Sequence, residues 1–297
     1  VNKFPQHKIG TDFSVARRSA VESALRLEGA WLARLMRQHA VAAFLWDDLI
    51  GEAASAAGMD MPEPAAAEAL RRLADEIEGG SGLRCDGAAS TGRAAGGSAH
   101  VAKNANVDLP VIGAHGVHPV CGLLVGGTAP RLLRISPRAA RPVKRRPTSE
   151  YRSALAPTEL SAPSRTALQT FLNLLPQASV HVAHALELPC DGPAHHFGVE
   201  AETLARYRRE VRAWLHETVR AFVSEICVGP GGRSLRVAQG HATTCIGRRG
   251  DTNGAKLVVI AAHGKSALEA TLLGSVSLHT VMAAHCEVLL MRGGAPA

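Results

Sequence analysis

This chain has no paired cysteines. Its six (Cys85, Cys121, Cys190, Cys227, Cys245 and Cys286) are scattered, with no Cys-x-x-Cys. That spacing argues against a disulfide framework or a zinc ribbon and points to reduced, cytosolic thiols. No apolar run reaches 18 residues, although 46% of the chain is hydrophobic, so no membrane span is expected. The opening Val-Asn-Lys-Phe-Pro-Gln-His-Lys has no apolar core before a small-residue cleavage site, so no secretory signal is expected. Gly-x-Ser-x-Gly and Gly-x-x-x-x-Gly-Lys-[Ser/Thr] are both missing. A nucleophile elbow and a standard phosphate-loop ATPase are therefore not expected. The formal charge of +7 is modest for 297 residues and is compatible with a nucleotide or polyanion partner. Arg141, Lys144, Arg145 and Arg146 make one basic stretch. No aromatic or nucleic-acid motif accompanies it, so it reads as a solvated linker and no nucleic-acid partner is expected.

What the chain does contain is a near-repetition of itself. Residues 11–27 align without a gap on residues 158–174: Thr11 on Thr158, Asp12 on Glu159, Ser14 on Ser161, Arg18 on Arg165, Leu27 on Leu174. Further on, Gly113-Ala-His-Gly116 is followed after nine residues by Gly126-Gly127. The second half answers with Ala261-Ala-His-Gly264 and, after nine residues, Gly274-Ser275. A period this long means two copies of one domain, because solenoid repeats run about 20–50 residues. The length, at about 150 residues per domain, agrees. The expected domains are 1–147 and 148–297, joined through the polar, proline-containing stretch 145–150.

Each half alternates strand and helix patterns. In the first, strands are expected near residues 8–11, 38–46, 82–90 and 107–112, with helices from about 15, over 65–78, weakly over 92–104 and over 128–135. The closing strand, 139–143, is poor, and Pro110 deletes one ladder donor from a strand that should be central. In the second, strands are expected over 154–158, 179–186, 235–239, 257–262 and 286–292. Helices are expected over 162–175, over 200–225 and from Ser275. The long helix carries Leu204, Tyr207, Val211, Trp214, Leu215, Val219 and Phe222 on one face. Strands alternating with helices build a parallel sheet covered on both faces.

In such a sheet ligands sit beyond the carboxyl ends of the strands, where connections diverge. Asp12 and Gly113 both lie just past a strand end. Glycines there let backbone N–H groups approach a phosphate, and a helix opening at Gly126 adds its N-terminal amides. The same glycines could equally do no more than shape the strand-to-helix turn. Asp12, Ser14 and Ser161 also suit helix N-caps. His181 and His184 are three apart on a strand, so they face opposite ways and cannot chelate together. His195 and His196 read as solvated loop, Cys121 as an inert thiol, and no metal site is expected.

Residues 258–276, Val-Val-Ile-Ala-Ala-His-Gly-Lys-Ser-Ala-Leu-Glu-Ala-Thr-Leu-Leu-Gly-Ser-Val, with Cys-Glu-Val-Leu-Leu-Met-Arg at 286–292, resemble the end of a universal stress protein domain. Thr11-Asp12-Phe13-Ser14 resembles that family's first strand and its Asp. The resemblance covers about residues 7–146 and 151–292. It implies two tandem five-stranded parallel α/β sandwich domains of the Rossmann-like, adenine nucleotide alpha hydrolase type, packed as an intramolecular pseudo-dimer, with a homodimer as a further arrangement. It also implies a nucleotide site in each half. In the first half this would use Asp12, Gly113, His115, Gly116, Gly126, Gly127 and Thr128; in the second, Glu159, His263, Gly264, Gly274, Ser275 and Val276. The family's nucleotide binders carry Gly, two residues, Gly, nine residues, Gly, then Ser or Thr. Gly127 stands where the hydroxyl belongs, Ala261 replaces the first glycine of the second half, and Glu159 is one methylene longer than Asp. Related ATP pyrophosphatases place Ser-Gly-Gly-x-Asp-Ser after the first strand. Thr11-Asp12-Phe13-Ser14 departs from that, which weighs against adenylating chemistry.

The expectation is a cytosolic, non-enzymatic stress-response protein that binds ATP, with magnesium carried by the nucleotide and a protein partner of unknown kind. A degenerate interaction scaffold without nucleotide is the alternative, and a slow ATPase the third reading.

Overall fold

A computed structural model of the chain describes residues 7–11, 39–44, 63–82, 85–90, 109–113, 133–134, 139–143, 151–187, 200–226, 232–252, 254–264 and 273–292. The first copy contributes β1 (His7–Thr11), β2 (His39–Phe44), α1 (Glu63–Ser81), β3 (Cys85–Ser90), β4 (Leu109–Gly113) and β5 (Arg141–Val143). The second contributes β6 (Ser153–Pro157), α2 (Ala162–Leu174), β7 (Ser179–Leu186), α3 (Ala201–Ile226), β8 (Arg233–Gln239), α4 (Ala242–Thr252), β9 (Leu257–Ala261), α5 (Ser275–Ala283) and β10 (Glu287–Met291).

The strands form two five-stranded parallel sheets, ordered β3-β2-β1-β4-β5 and β10-β9-β6-β7-β8. Read from the opposite edge, the second order is the first, strand for strand. The duplication in sequence is therefore a duplication in topology. In each sheet the chain reverses direction across the pair formed by its first and fourth strands, and that pair defines a switch point.

Burial explains most of the elements. β9 and β10 are buried along their whole length, as befits strands covered on both faces. α1 buries Leu70, Leu73, Ala74 and Ile77, the expected helical stripe. β4 runs through Pro110 opposite Lys8, so the lost donor does not break the strand. Residues 133–134 are helical and fall within the helix expected over 128–135. Expectations for helices near 15 and 92–104 lie outside the described residues.

Three expectations need correction. α4 is absent from the sequence reading. Its sequence, Ala-Thr-Thr-Cys-Ile-Gly-Arg-Arg-Gly-Asp-Thr, carries two glycines and few apolar residues; Cys245 and Ile246 are the ones buried among the described side chains, so the apolar signal is short. A helix exists there because parallel β8 and β9 need a crossover. Next, Tyr207 and Trp214 are not core residues: they are 43% and 67% exposed. Of the expected face α3 buries Leu204, Leu215, Val219 and Phe222, with Ile226 added, and Tyr207 and Trp214 lie to one side of that stripe. Finally, Arg141 is no solvated linker residue; it is 0% exposed.

Arg141 lies where the two copies meet. Ala140 and Leu290 form an antiparallel bridge, exchanging both N–H···O bonds at 2.9 Å. Continued, that register sets Pro142 opposite Val288, and proline has no N–H to give, so the ladder stops at one pair. Around it Leu133 and Ala140 of the first copy pack with Val288 and Leu290 of the second. The Arg141 guanidinium donates to the Glu287 carboxylate and to the Tyr151 hydroxyl, and lies 4.7 Å from the centre of the Tyr151 ring. Tyr151 in turn donates to Glu287 at 2.8 Å. Arg292, at the end of β10, donates to the carbonyls of Leu133 (2.7 Å) and Arg134 (3.2 Å). The copies thus pair through their closing strands, and the poor strand at 139–143 is one side of that pairing. No helix among the described residues is long and apolar enough to cross a membrane.

Candidate functional site

In the second copy, β6 and β9 are hydrogen-bonded neighbours, with Ala154 paired to Leu257 and Leu155 to Val258. Their carboxyl ends therefore open onto one crevice. The turn after β6 is tightly pinned. Thr158 N donates to Ala183 O at 2.9 Å, and Thr158 O accepts from His184 Nδ1 at 2.8 Å. A carbonyl only accepts, so this bond holds His184 with its proton on Nδ1. Thr158 Oγ1 accepts from Leu160 N at 3.0 Å and meets Ser164 Oγ at 2.9 Å. Leu160 takes φ 64°, a conformation that side chains other than glycine adopt only under such constraint. Ser161 then caps α2 in a reciprocal box with Ser164, as expected of a serine placed there. The Ser161 hydroxyl also donates to the Glu159 carboxylate.

That turn aims Glu159 at the loop after β9. A Cβ added at Gly264 would lie 3.4 Å from Glu159 Cδ and 3.5 Å from its Oε1. A side chain at 264 would thus grow directly against the carboxylate; the φ of Gly264 is not in the left-handed region. Gly274 closes the far side. Its N–H donates to Ala262 O at 2.7 Å, and a Cβ there would meet that oxygen at 3.4 Å and His263 Cα at 3.6 Å. Gly274 is the N-cap of α5 and, being glycine, brings no side chain of its own to that cap. Ser275 and Val276 begin the helix, so their amides belong to the first-turn donors that a helix leaves over. Ser277 Oγ donates to Ala261 O at 2.7 Å, tying the helix start back to β9.

His263 lies between these parts. It is 7% exposed, and its Nδ1 has no hydrogen-bond partner among the described residues. Burial pushes its pKa below the ordinary 6.5, and the Arg292 charge adds to this, while the Glu159 charge opposes it. The imidazole is therefore neutral near pH 7. Ala261, the departure from glycine, is the last residue of β9; its methyl is buried and its carbonyl serves Ser277. The backbone there does not require glycine.

Glu159, His263, Gly264, Gly274, Ser275 and Val276 are thus brought to one crevice. In the first copy, Gly113 ends β4 beside β1, which ends at Thr11, so the equivalent switch point exists. Asp12, His115, Gly116, Gly126, Gly127 and Thr128 lie outside the described residues. Thr158, Ser164, His184, Ser277 and Arg292 were not singled out from sequence as parts of a site, and all five support it. The serine pair three residues apart at the start of α2 carried a capping signal; the others became legible only by contact. Among the described residues no group of three His, Cys, Asp or Glu could hold a metal ion.

Chemically the crevice offers a carboxylate at one end, backbone donors at a helix N-terminus at the other, and a neutral imidazole beneath. Two five-stranded parallel sheets of one topology define a tandem, Rossmann-like α/β protein. The chain belongs to the universal stress protein family, whose description matches it twice, over residues 9–139 and 150–292. The chain is similar in structure to a universal stress protein from Archaeoglobus fulgidus DSM 4304, at 14% identity and TM-score 0.66, covering 99% of this chain and 100% of that one. A functionally unknown protein from Pseudomonas aeruginosa PAO1 matches at 16% identity and TM-score 0.64, covering 97% and 92%. A putative universal stress protein from Pseudomonas aeruginosa UCBPP-PA14 matches at 18% and 0.61, covering 97% and 93%. These identities establish a shared fold. No curated protein matches the chain.

Proposed function

We propose that this tandem universal stress protein is a cytosolic stress-response protein that binds an adenine nucleotide, ATP in the first instance, without efficient turnover. The observation that carries the reading is the second-copy crevice. There Glu159 abuts Gly264, while Gly274 opens α5 without a side-chain cap. Backbone N–H groups at a helix N-terminus favour a phosphate, and a carboxylate accepts the donors of a nucleoside. Glu159 would take the nucleoside end, Gly264 and the amides of Ser275 and Val276 the phosphates, and His263 the floor between. Magnesium would arrive with the nucleotide.

Hydrolysis needs an oriented water, a group to activate it and charge stabilisation in the transition state. The crevice supplies backbone donors, the buried imidazole of His263 and one carboxylate, which serves the far end of the ligand, and among the described residues no second charged group to stabilise the transition state. The protein is therefore proposed as a binder whose occupancy, rather than turnover, carries a signal. Acid denaturation of freshly purified protein tests this directly. Release of an adenine nucleotide in stoichiometric amount supports the reading. Protein free of nucleotide, and silent in calorimetry with ATP and magnesium, would favour a scaffold that works by interaction alone.

A further inference from the structure

The interface between the copies is built asymmetrically at its centre. β4 pairs Gly113 with Val143, and β9 pairs Ala261 with Met291. Gly113 and Ala261 are equivalent in the repeat, so Val143 matches Met291 and Arg141 matches Leu289. The Ala140–Leu290 bridge, continued by one residue, sets Arg141 opposite Leu289. The local two-fold that relates the closing strands therefore passes through that pair. One copy places a guanidinium on the axis; the other places an isobutyl group there.

We propose that this asymmetry makes the two edges selective: β5 accepts β10 and refuses a second β5. Arg141 shares a sheet face with Glu287, two residues along the opposite strand from Leu289, within the reach of diagonal neighbours. Both side chains are withdrawn from water, at 0% and 8% exposure. Tyr151 completes the set, bonded to both. Two β5 edges brought together in the same register would bury Arg141 against Arg141 on the axis, with no carboxylate on either strand. Two β10 edges would set Leu289 on Leu289 comfortably, but would leave each Glu287 opposite Met291. A buried charge is tolerated only beside its partner, and breaking such a pair costs far more than removing both members. Neither homotypic pairing provides that partner; the pairing of unlike copies does. The partner that fits the β5 edge is thus the β10 edge of a second-copy domain.

Four full-length chains test this: wild type, Arg141→Glu, Glu287→Arg and the double reversal. Amide exchange at Ala140 and Leu290, followed by NMR, reads the interface itself. Each single reversal should set like charges together and speed both amides by about tenfold or more, through local opening. The double reversal, which restores an opposite pair, should return exchange to within about threefold of wild type. A double reversal that exchanges as fast as the singles would overturn the proposal, as would singles that exchange like wild type. If the reversals unfold the chain, Arg141→Met with Glu287→Leu serves instead, since apolar replacements of similar volume are tolerated where an ion pair was. By sedimentation velocity that variant should form dimers at concentrations where wild type does not, because nothing then forbids like edges from pairing. Identical sedimentation of the two across the concentration series would count against the selective role.

Discussion

Gly264→Val probes the crevice at its narrowest point. The first carbon of the new side chain would sit 3.4 Å from Glu159 Cδ and 3.5 Å from Oε1, in van der Waals contact with the carboxylate. Valine's two further methyls extend beyond that contact, and the expected response is for Glu159 to swing away from the Ser161 hydroxyl that holds it. The backbone is not strained by the change, because Gly264 is not in the left-handed region. Stability should therefore move little, within about 1 kcal/mol, as for a partly exposed loop position. Ligand affinity should move more. Loss of the carboxylate contact and a methyl in the phosphate turn together should weaken ATP by about 10- to 100-fold, or roughly 1.4–2.8 kcal/mol. Isothermal titration with ATP and magnesium measures this, and a thermal melt in parallel separates binding from folding. Glu159→Ala supplies the second arm. It opens room for valine, so the double variant should bind better than the product of the two single losses would give. Equal affinity for Gly264→Val and wild type would refute the assignment of the crevice. Strict additivity of the two losses would refute the contact between them.

Phe171→Ala in α2, where the ring is 0% exposed, should cost about 3–5 kcal/mol, read from the urea midpoint. Ser161→Ala removes the cap of α2 and should cost about 0.5–2 kcal/mol by the same measurement. His263 has a depressed pKa in the folded state, chiefly from burial. The unfolded chain therefore takes up its proton first, and the stability that depends on neutral His263 is present above pH 6.5 and is lost as pH falls below it. His263→Gln should flatten that part of the pH–stability curve; an unchanged slope would remove His263 as its source. Phosphate release from ATP with magnesium should stay at about 10⁻³ per second or slower, against the ~1–10³ per second of ordinary enzymes. A rate near 1 per second that Gly264→Val abolishes would mean that the crevice is catalytic.

The sequence by itself determined the repeat and the strand set, and it named the residues of the candidate site that the second copy brings together. Those depend on local pattern: apolar runs such as 257–262, the turn glycines after them, and a serine spaced to cap a helix. Both sheets then carry one strand order because a duplicated pattern folds under the same rules of handedness and crossover. Tertiary structure alone decided the rest. α4 forms with a short apolar stripe and two glycines, where parallel β8 and β9 need a covering crossover. Tyr207 and Trp214 match the helical period of α3 but lie off the stripe that meets the sheet, and only the packing direction separates them from Leu215 and Phe222. Arg141 shows the difference most sharply. Within its own neighbourhood it continues a basic, proline-containing stretch and reads as solvent-facing. Its partner Glu287 lies 146 residues away, and nothing local to either announces the other. A charge can be buried only where an opposite charge is delivered to it, and that delivery is made by the pairing of the two closing strands.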